Sequence, residues 1–329
     1  MSHGFTNNGN TCYMNSALQC LSHLPIFHPT NETFRKNVNQ YQKGSPVLRE
    51  WIRILKQMWN GSQGEVIQTL PFLREFIKHC RETDVYFESF QQNDSADFIR
   101  IFMDFVHHSV KREVRFTKQG DPTNKVERLK SEAVDSWESF FSKEYSFIIP
   151  YFYSQTLTMV NCPKCEYITT NFEPVMVITL TMKENYTSIY DCLNEYTEKH
   201  TTDSQSQWTC DECSQKVNPY KKTIFWKVSP VLIFQIKQYR KQGKLNHHID
   251  FPETLNMKEY VVNQKNKNVS YTLSGICIHS GSLNGGHYYA MCKDYTKNTW
   301  NTHNDSNVTP TKLTNVLQQT PYCLFYTRI

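Results

Sequence analysis

What this sequence lacks narrows its class first. No stretch approaches the ~18 consecutive apolar residues that a bilayer span requires, and the N-terminus shows no basic start followed by an apolar core. An intracellular protein without membrane contact is expected. Asn-x-Ser/Thr triplets such as Asn31-Glu32-Thr33 and Asn185-Tyr186-Thr187 then carry no glycosylation reading. No internal repeat or low-complexity tract is evident, which sets aside solenoids and disordered arrays. Charge of one sign is also scarce. The 36 basic and 31 acidic residues leave only +5, spread along the chain, so a nucleic-acid partner is not expected. Nor is there the even cysteine count of a disulfide framework. The 11 cysteines include two Cys-x-x-Cys pairs, a pattern that suits a reducing compartment and metal binding.

What is present is an ordinary globular composition, 39% hydrophobic and 20% charged, over 329 residues, enough for two or three subdomains around a substantial core. Residues 1–145 read mostly helical. Val47, Leu48, Trp51, Ile52, Ile54, Leu55 and Trp59 follow a 3.6-residue period, and it resumes at Leu70, Phe72, Leu73, Phe76 and Ile77. Residues 111–130 are charged and interrupted by Gly120-Asp121-Pro122, which predicts an exposed loop or helix extension. After residue 145 the texture changes to alternation. Tyr151, Tyr153, Gln155, Leu157 and Met159, then Val175, Val177, Thr179 and Thr181, predict strands. Further strands are expected at residues 225–228, 231–236 and 271–278, the middle one apolar enough to be central.

Among these strands lie Cys162-Pro163-Lys164-Cys165 and Cys210-Asp211-Glu212-Cys213. Two such knuckles can close a tetrahedral site around one structural zinc ion, with metal–sulfur distances of about 2.3 Å. Their 44 intervening residues exceed the usual zinc-finger gap, so a sheet must bring the tips together. Chance pairing or a redox disulfide is the competing reading; a redox motif needs only one pair and usually precedes a helix.

The chemistry concentrates at the two ends of the chain. In Gly4-Phe5-Thr6-Asn7-Asn8-Gly9-Asn10-Thr11-Cys12-Tyr13, a Gly- and Asn-rich loop leads into Ala17, Leu18 and Leu21 at helical spacing, placing Cys12 near a first helical turn. Unpaired N–H groups there favour thiolate and can lower a cysteine pKa well below ~8.5. Asn7 sits where its amide could donate to an oxyanion forming beside the sulfur. A lone cysteine is ordinarily a small buried hydrophobe. Here the far end supplies partners: Gly285-Gly286-His287-Tyr288-Tyr289 places a histidine at a turn, and Trp300-Asn301-Thr302-His303-Asn304-Asp305 offers an amide and a carboxylate to orient it. In Gln91-Gln92-Asn93-Asp94-Ser95-Ala96-Asp97-Phe98, two carboxylates stand three apart at a helix start, as a cap or as a pair facing a groove.

These stretches resemble the Cys box, His box and terminal Asn/Asp element of the ubiquitin-specific protease family, and the resemblance runs from Gly4 to Cys323-Leu324-Phe325-Tyr326. It implies an α+β, papain-like cysteine protease fold, with a helical thumb (1–145), β fingers bearing zinc (146–228) and a palm sheet (229–329). It implies a deubiquitinase acting on ubiquitin and ubiquitinated proteins as a monomeric catalytic domain. Cys12 would be the nucleophile, His287 the base, Asn304 the orienting residue, Asn7 an oxyanion donor and Asp305 an auxiliary to that region. Gln92, Asp94 and Asp97 match the element that holds the basic tail of ubiquitin, with Asp97 where Glu is usual. His279, Gly286 and Tyr288 match positions lining the channel for its Gly-Gly end. The resemblance leaves two alternatives: a hydrolase for a ubiquitin-like modifier, or a non-catalytic ubiquitin binder. His303 stands where the family usually has an aromatic residue.

Overall fold

A computed structural model describes residues 3–41, 45–62, 64–88, 91–117, 120–202, 207–240, 243–263, 268–282 and 285–329. Helices dominate the first half: α1 (Cys12–Ser22), α2 (Glu32–Tyr41), α3 (Pro46–Asn60), α4 (Leu70–Glu82), α5 (Ser95–Val110), α6 (Lys125–Phe141) and the short α7 (Ile148–Phe152). Some starts are capped by a side chain. Ser45 accepts from the Leu48 N–H ahead of Pro46 at the first turn of α3, and Asp94 accepts from the Ala96 and Asp97 N–H groups at the start of α5. Residues 118 and 119, inside the stretch expected to be a loop, lie outside the described residues. α7 overrides the strand expected from Tyr151. Its Ile148, Ile149 and Phe152 are buried at helical spacing, and the strand begins only at Ser154.

The core of this half is aromatic. Phe98 lies 5.0 Å from Phe76 and 5.7 Å from Phe102, while Trp51 meets Phe102 and Phe27 edge-on. Each such ring contributes about 1.5–3 kcal/mol through burial. Within it, every residue of α1 is buried. That is the signature of a central helix rather than of a surface one.

The second half is built on an eight-stranded sheet: β1 (Val177–Thr181), β2 (Val231–Lys237), β3 (Thr254–Asn256), β4 (Ser270–Ser282), β5 (Gly285–Asp294), β6 (Thr299–Asn304), β7 (Asn307–Thr311) and β8 (Pro321–Arg328). The order is β7-β6-β5-β4-β8-β2-β1, with β3 beside β4. Pairing is antiparallel except between β2 and β1. Both faces are covered. Cys277, Tyr288, Ala290, Cys292 and Cys323 face the helical core, and the alternating Ile276, Ile278, Met291 and Leu324 face a second apolar cluster. Strands buried on both sides read as near-continuous apolar runs, which is why β2 looks central in the sequence. α1 lies against β5 and β4 on the helix-facing side.

A separate antiparallel sheet joins residues 154–161, 168–175 and 220–227, with residues 200–201 at one edge. α6 braces it: Gln155 Nε2 donates to the Ala133 carbonyl (2.8 Å) and Ser136 Oγ to that of Phe172 (2.7 Å). No helix among the described residues is long and apolar enough to cross a membrane.

Candidate functional site

Cys12 is the first residue of α1, and Thr11 before it makes no side-chain capping bond. The helix N–H groups are thus left to the thiol: those of Cys12 and Tyr13, and across the interface that of Tyr288, all favour a charged sulfur. Burial opposes them and wins. Cys12 is only 3% exposed, and desolvation, reinforced by the nearby Asp305 carboxylate, raises its pKa above the ordinary value of 9.0. The sequence expectation of a depressed pKa is therefore corrected; the helix start acts as expected but is outweighed.

Strand registry sets the C-terminal candidates side by side. In β4–β5, Ser280 pairs with His287 and His279 with Tyr288; in β5–β6, Ala290 pairs with His303. His287 and Asn304 consequently fall on one side of the sheet, and His287 Nε2 lies 2.6 Å from Asn304 Oδ1. Asp305 Oδ2 is farther from that nitrogen, at 3.8 Å. Asn304 is thus the nearer of the two candidates to this ring nitrogen. Residues 283 and 284, in the turn before His287, lie outside the described residues.

Asp305 occupies the two-residue turn between β6 and β7 with φ of 49°, a left-handed conformation that Asp tolerates. Its carboxylate accepts from Asn7 Nδ2 (2.9 Å) and Asn15 Nδ2 (2.7 Å), and its carbonyl accepts from the Phe5 N–H (2.8 Å). Asn7 Oδ1 in turn accepts from the Gly9 and Thr11 N–H groups. Gly4 allows this close approach: a Cβ there would lie 2.3 Å from the Ser306 carbonyl oxygen. Asn15 escaped the sequence reading. Its position three residues after Cys12, on the same helix side, is the signal that could have found it.

A cavity of about 300 Å3 opens beside these groups, lined by Gln92, Asn93, Asp94, Tyr239, His279, Ser282 and Tyr288. Gln92 Nε2 donates to the Gly286 carbonyl (3.0 Å). Gly286 must be glycine, because a Cβ would come within 2.3 Å of His279 Nε2. His279 Nδ1 lies 2.6 Å from the Tyr239 hydroxyl, while Lys244 Nζ donates to the His279 carbonyl (2.7 Å). Burial, then the Lys244 charge, lower the His279 pKa to about 4, so this ring is neutral at pH 7. Tyr239, Lys244 and Tyr322 were not singled out in the sequence.

The two acids part company. Asp94 caps α5 with Oδ1 and takes the Tyr322 hydroxyl on Oδ2, while still lining the cavity. Asp97 does not line it and pairs with Arg100 Nη1 (2.9 Å), whose other nitrogen donates to Gln235 (2.7 Å) and Thr179 (3.0 Å).

Cys162, Cys165, Cys210 and Cys213 converge at the tip of the smaller sheet, with their sulfurs within 4.8 Å of one another. Cys162 and Cys213 are 3.8 Å apart, Cys165 and Cys210 3.6 Å. A tetrahedron with 2.3 Å metal–sulfur bonds spaces its sulfurs by about 3.8 Å, so the four can hold a metal ion. The knuckles are alike: Glu166 N–H donates to Cys162 O and Ser214 N–H to Cys210 O, with Glu166 and Ser214 both left-handed. A sheet does join them, since Asn161 pairs with Tyr220.

The raised thiol pKa sets an expected pH dependence. Because Cys12 is protonated at neutral pH in the free protein, its alkylation by iodoacetamide should keep rising as pH increases through 9. A rate already at its plateau by pH 7 would contradict this.

The family model described as "Ubiquitin carboxyl-terminal hydrolase" matches residues 3–326. Human ubiquitin carboxyl-terminal hydrolase 2 is 27% identical over 336 residues, covering 98% of this chain and 54% of the relative. Bovine ubiquitin carboxyl-terminal hydrolase 21 is 25% identical over 350 residues, covering 98% and 61%. The chain thus spans little more than half the length of these curated relatives. A solved structure of the SAGA Ubp8/Sgf11/Sus1/Sgf73 DUB module bound to ubiquitin aldehyde superposes with a TM-score of 0.74 at 24% identity, covering 100% of this chain and 70% of that one, which shows the shared fold. With matching sequence over almost its whole length and the expected mixed helix-and-sheet architecture, the chain belongs to the ubiquitin carboxyl-terminal hydrolase family.

Proposed function

We propose that this chain is the catalytic unit of a thiol-dependent deubiquitinase, hydrolysing the isopeptide or peptide bond after the C-terminal glycine of ubiquitin. The observation that carries the reading is the 2.6 Å contact of His287 Nε2 with Asn304 Oδ1, beside a Cys12 sulfur that accepts from the next residue's N–H. An amide oxygen only accepts, so Nε2 holds the proton and Nδ1 keeps the lone pair that takes the proton of Cys12. The sulfur attacks the glycyl carbonyl. The resulting oxyanion is met by the Cys12 N–H and by the Asn7 amide, which Asp305 holds in place. Losing one such donor typically costs ~2.7–4 kcal/mol of transition-state stabilisation. His287 then gives its proton to the departing lysine amine, and water hydrolyses the thioester to a free carboxylate and thiol.

The extended Gly-Gly tail would run through the cavity between Gln92, Asp94, His279 and Tyr288, passing the Gly286 backbone. A substrate arginine would meet Asp94 first, since Asp97 must leave Arg100 to take part. Asp305 acts as a positioning residue through Asn7 and Asn15. Its relatives among the ubiquitin carboxyl-terminal hydrolases and the ubiquitin-aldehyde complex of the SAGA module support ubiquitin and its conjugates as partners. We place the protein inside the cell as a monomeric catalytic unit with thumb, fingers and palm over 1–145, 146–228 and 229–329. Within the middle segment, β1 and the helix Ile189–Thr197 pack with the palm sheet and its apolar cluster.

Zinc is the ion that fits the four-cysteine cluster. Four thiolates leave no open position, so it would tie two knuckles together and take no part in the reaction.

Two outcomes test these readings. Ubiquitin carrying a C-terminal electrophile should label the wild-type protein and fail to label Cys12→Ala, with Asn304→Ala labelled at least tenfold more slowly. Binding of ubiquitin without labelling would make the chain a non-catalytic binder, and labelling only by a ubiquitin-like modifier would reassign the substrate. Cys165→Ser, or a strong chelator, should remove zinc and expose residues 154–175 and 208–227 to hydrogen exchange; unchanged exchange with no metal in the wild type would remove the zinc reading.

A further inference from the structure

Behind the candidate site, between α1 and the helix-facing side of β5 and β6, a second group of metal-competent side chains meets. Cys20 and His23 stand three apart at the end of α1 and share one side of it. Cys292 on β5 and His303 on β6 share the facing side of the sheet, because Ala290 pairs with His303 and Cys292 with Asn301. One ligand atom from each of His23, Cys292 and His303 lies within 4.8 Å of the other two. Cys20 Sγ adds a fourth candidate, 3.9 Å from Cys292 Sγ. All four residues are at most 1% exposed.

The protonation pattern is that of a ligand set. His23 Nδ1 donates to the Gln19 carbonyl (2.7 Å), which leaves the lone pair on Nε2, and that atom has no hydrogen-bond partner among the described residues. A metal-bound imidazole usually has its second nitrogen anchored in this way. His303 is still less satisfied. Neither ring nitrogen has a partner among the described residues, and the His3 backbone faces the ring without reaching hydrogen-bond geometry. An unsatisfied buried polar atom costs about 1–3 kcal/mol. Two imidazoles that each offer an unpartnered nitrogen among the described residues, beside the Cys292 sulfur, make a poor core and a good coordination shell.

We propose that His23, Cys292 and His303, with Cys20 as fourth ligand, bind a zinc-type transition-metal ion that clamps α1 to β5 and β6. Two imidazoles with thiolate sulfur are a borderline-soft donor set suited to tetrahedral zinc. Bonds of about 2.0–2.3 Å place such ligand atoms roughly 3.3–3.8 Å apart; the three ligand atoms of His23, Cys292 and His303 lie within 4.8 Å of one another, and Cys20 Sγ, 3.9 Å from Cys292 Sγ, turns in to complete the set. The site differs from the finger cluster in chemistry and in place. It ties the helix that begins with Cys12 to the strands that carry His287 and Asn304, one residue from Asn304 itself.

Metal counting on the full chain by elemental analysis and native mass spectrometry tests this. The wild type should carry about two ions, and Cys165→Ser should lose the finger ion and keep the buried one. His303→Phe, which fills the site with an apolar ring, should keep the finger ion and lose the other. Cobalt(II) introduced into Cys165→Ser should show the visible bands of a tetrahedral thiolate site, abolished by adding Cys292→Ser. A His303→Phe protein with the wild-type metal count, or a folded Cys165→Ser protein that binds neither zinc nor cobalt, would overturn the proposal. Should His303→Phe fail to fold, as judged by near-ultraviolet circular dichroism, the Cys165→Ser result decides alone.

Discussion

The carboxylate of Asp305 is the constraint on which the site depends. It is 14% exposed, and it accepts from two amides of the N-terminal segment, Asn7 and Asn15, while its own carbonyl takes the Phe5 N–H. Hydrogen bonds to a charged acceptor contribute roughly 1.5–3 kcal/mol each, and stranding such a group without donors costs more. The carboxylate therefore fixes the loop before α1 against the β6–β7 turn. From that junction follow the place of Cys12 at the helix start, of Asn304 one residue before the turn, and of His287 on the neighbouring strand.

The surroundings of Cys12 hold reactivity in reserve. Helix N–H groups and the Tyr288 N–H favour a thiolate, but burial and the Asp305 charge favour the thiol more. A sulfur in this balance depends on a nearby base for activation, the part proposed for His287, whose Nε2 lies 2.6 Å from Asn304 Oδ1. Neighbouring side chains serve geometry rather than proton transfer. His279 is neutral and held by Tyr239, with Lys244 on its own carbonyl, and its ring closes the space that a side chain at Gly286 would need.

Much of this was legible in the residues, and the exceptions share a cause. Cys12 at a helix start, Asp94 as a cap and the paired cysteine knuckles each depend on neighbours within a few positions, which a sequence displays directly. The preference for Asn304 over Asp305 came from the motif, and strand register sets Asn304 Oδ1 2.6 Å from the His287 ring against 3.8 Å for Asp305. Asn15, Tyr239, Lys244 and Tyr322 act through partners 35 to 290 residues away, so no local pattern announces them. The sign of the Cys12 shift was missed because burial is a property of the packed interface, whereas the helix start is a property of the segment. Tyr151 read as strand because its alternation with Tyr153 is real, but core contacts of Ile148, Ile149 and Phe152 favour a helical turn.

The most direct measurement is of proximity between the sulfur and the imidazole. A short bis-alkylating reagent added to the folded protein should first capture the Cys12 sulfur and then close onto His287, giving a cross-linked pair of tryptic peptides identifiable by mass spectrometry. Recovery of that pair from native protein and not from denatured protein is the predicted result. Alkylation of Cys12 with His287 left unmodified, while the reagent bridges some other nucleophile, would contradict it.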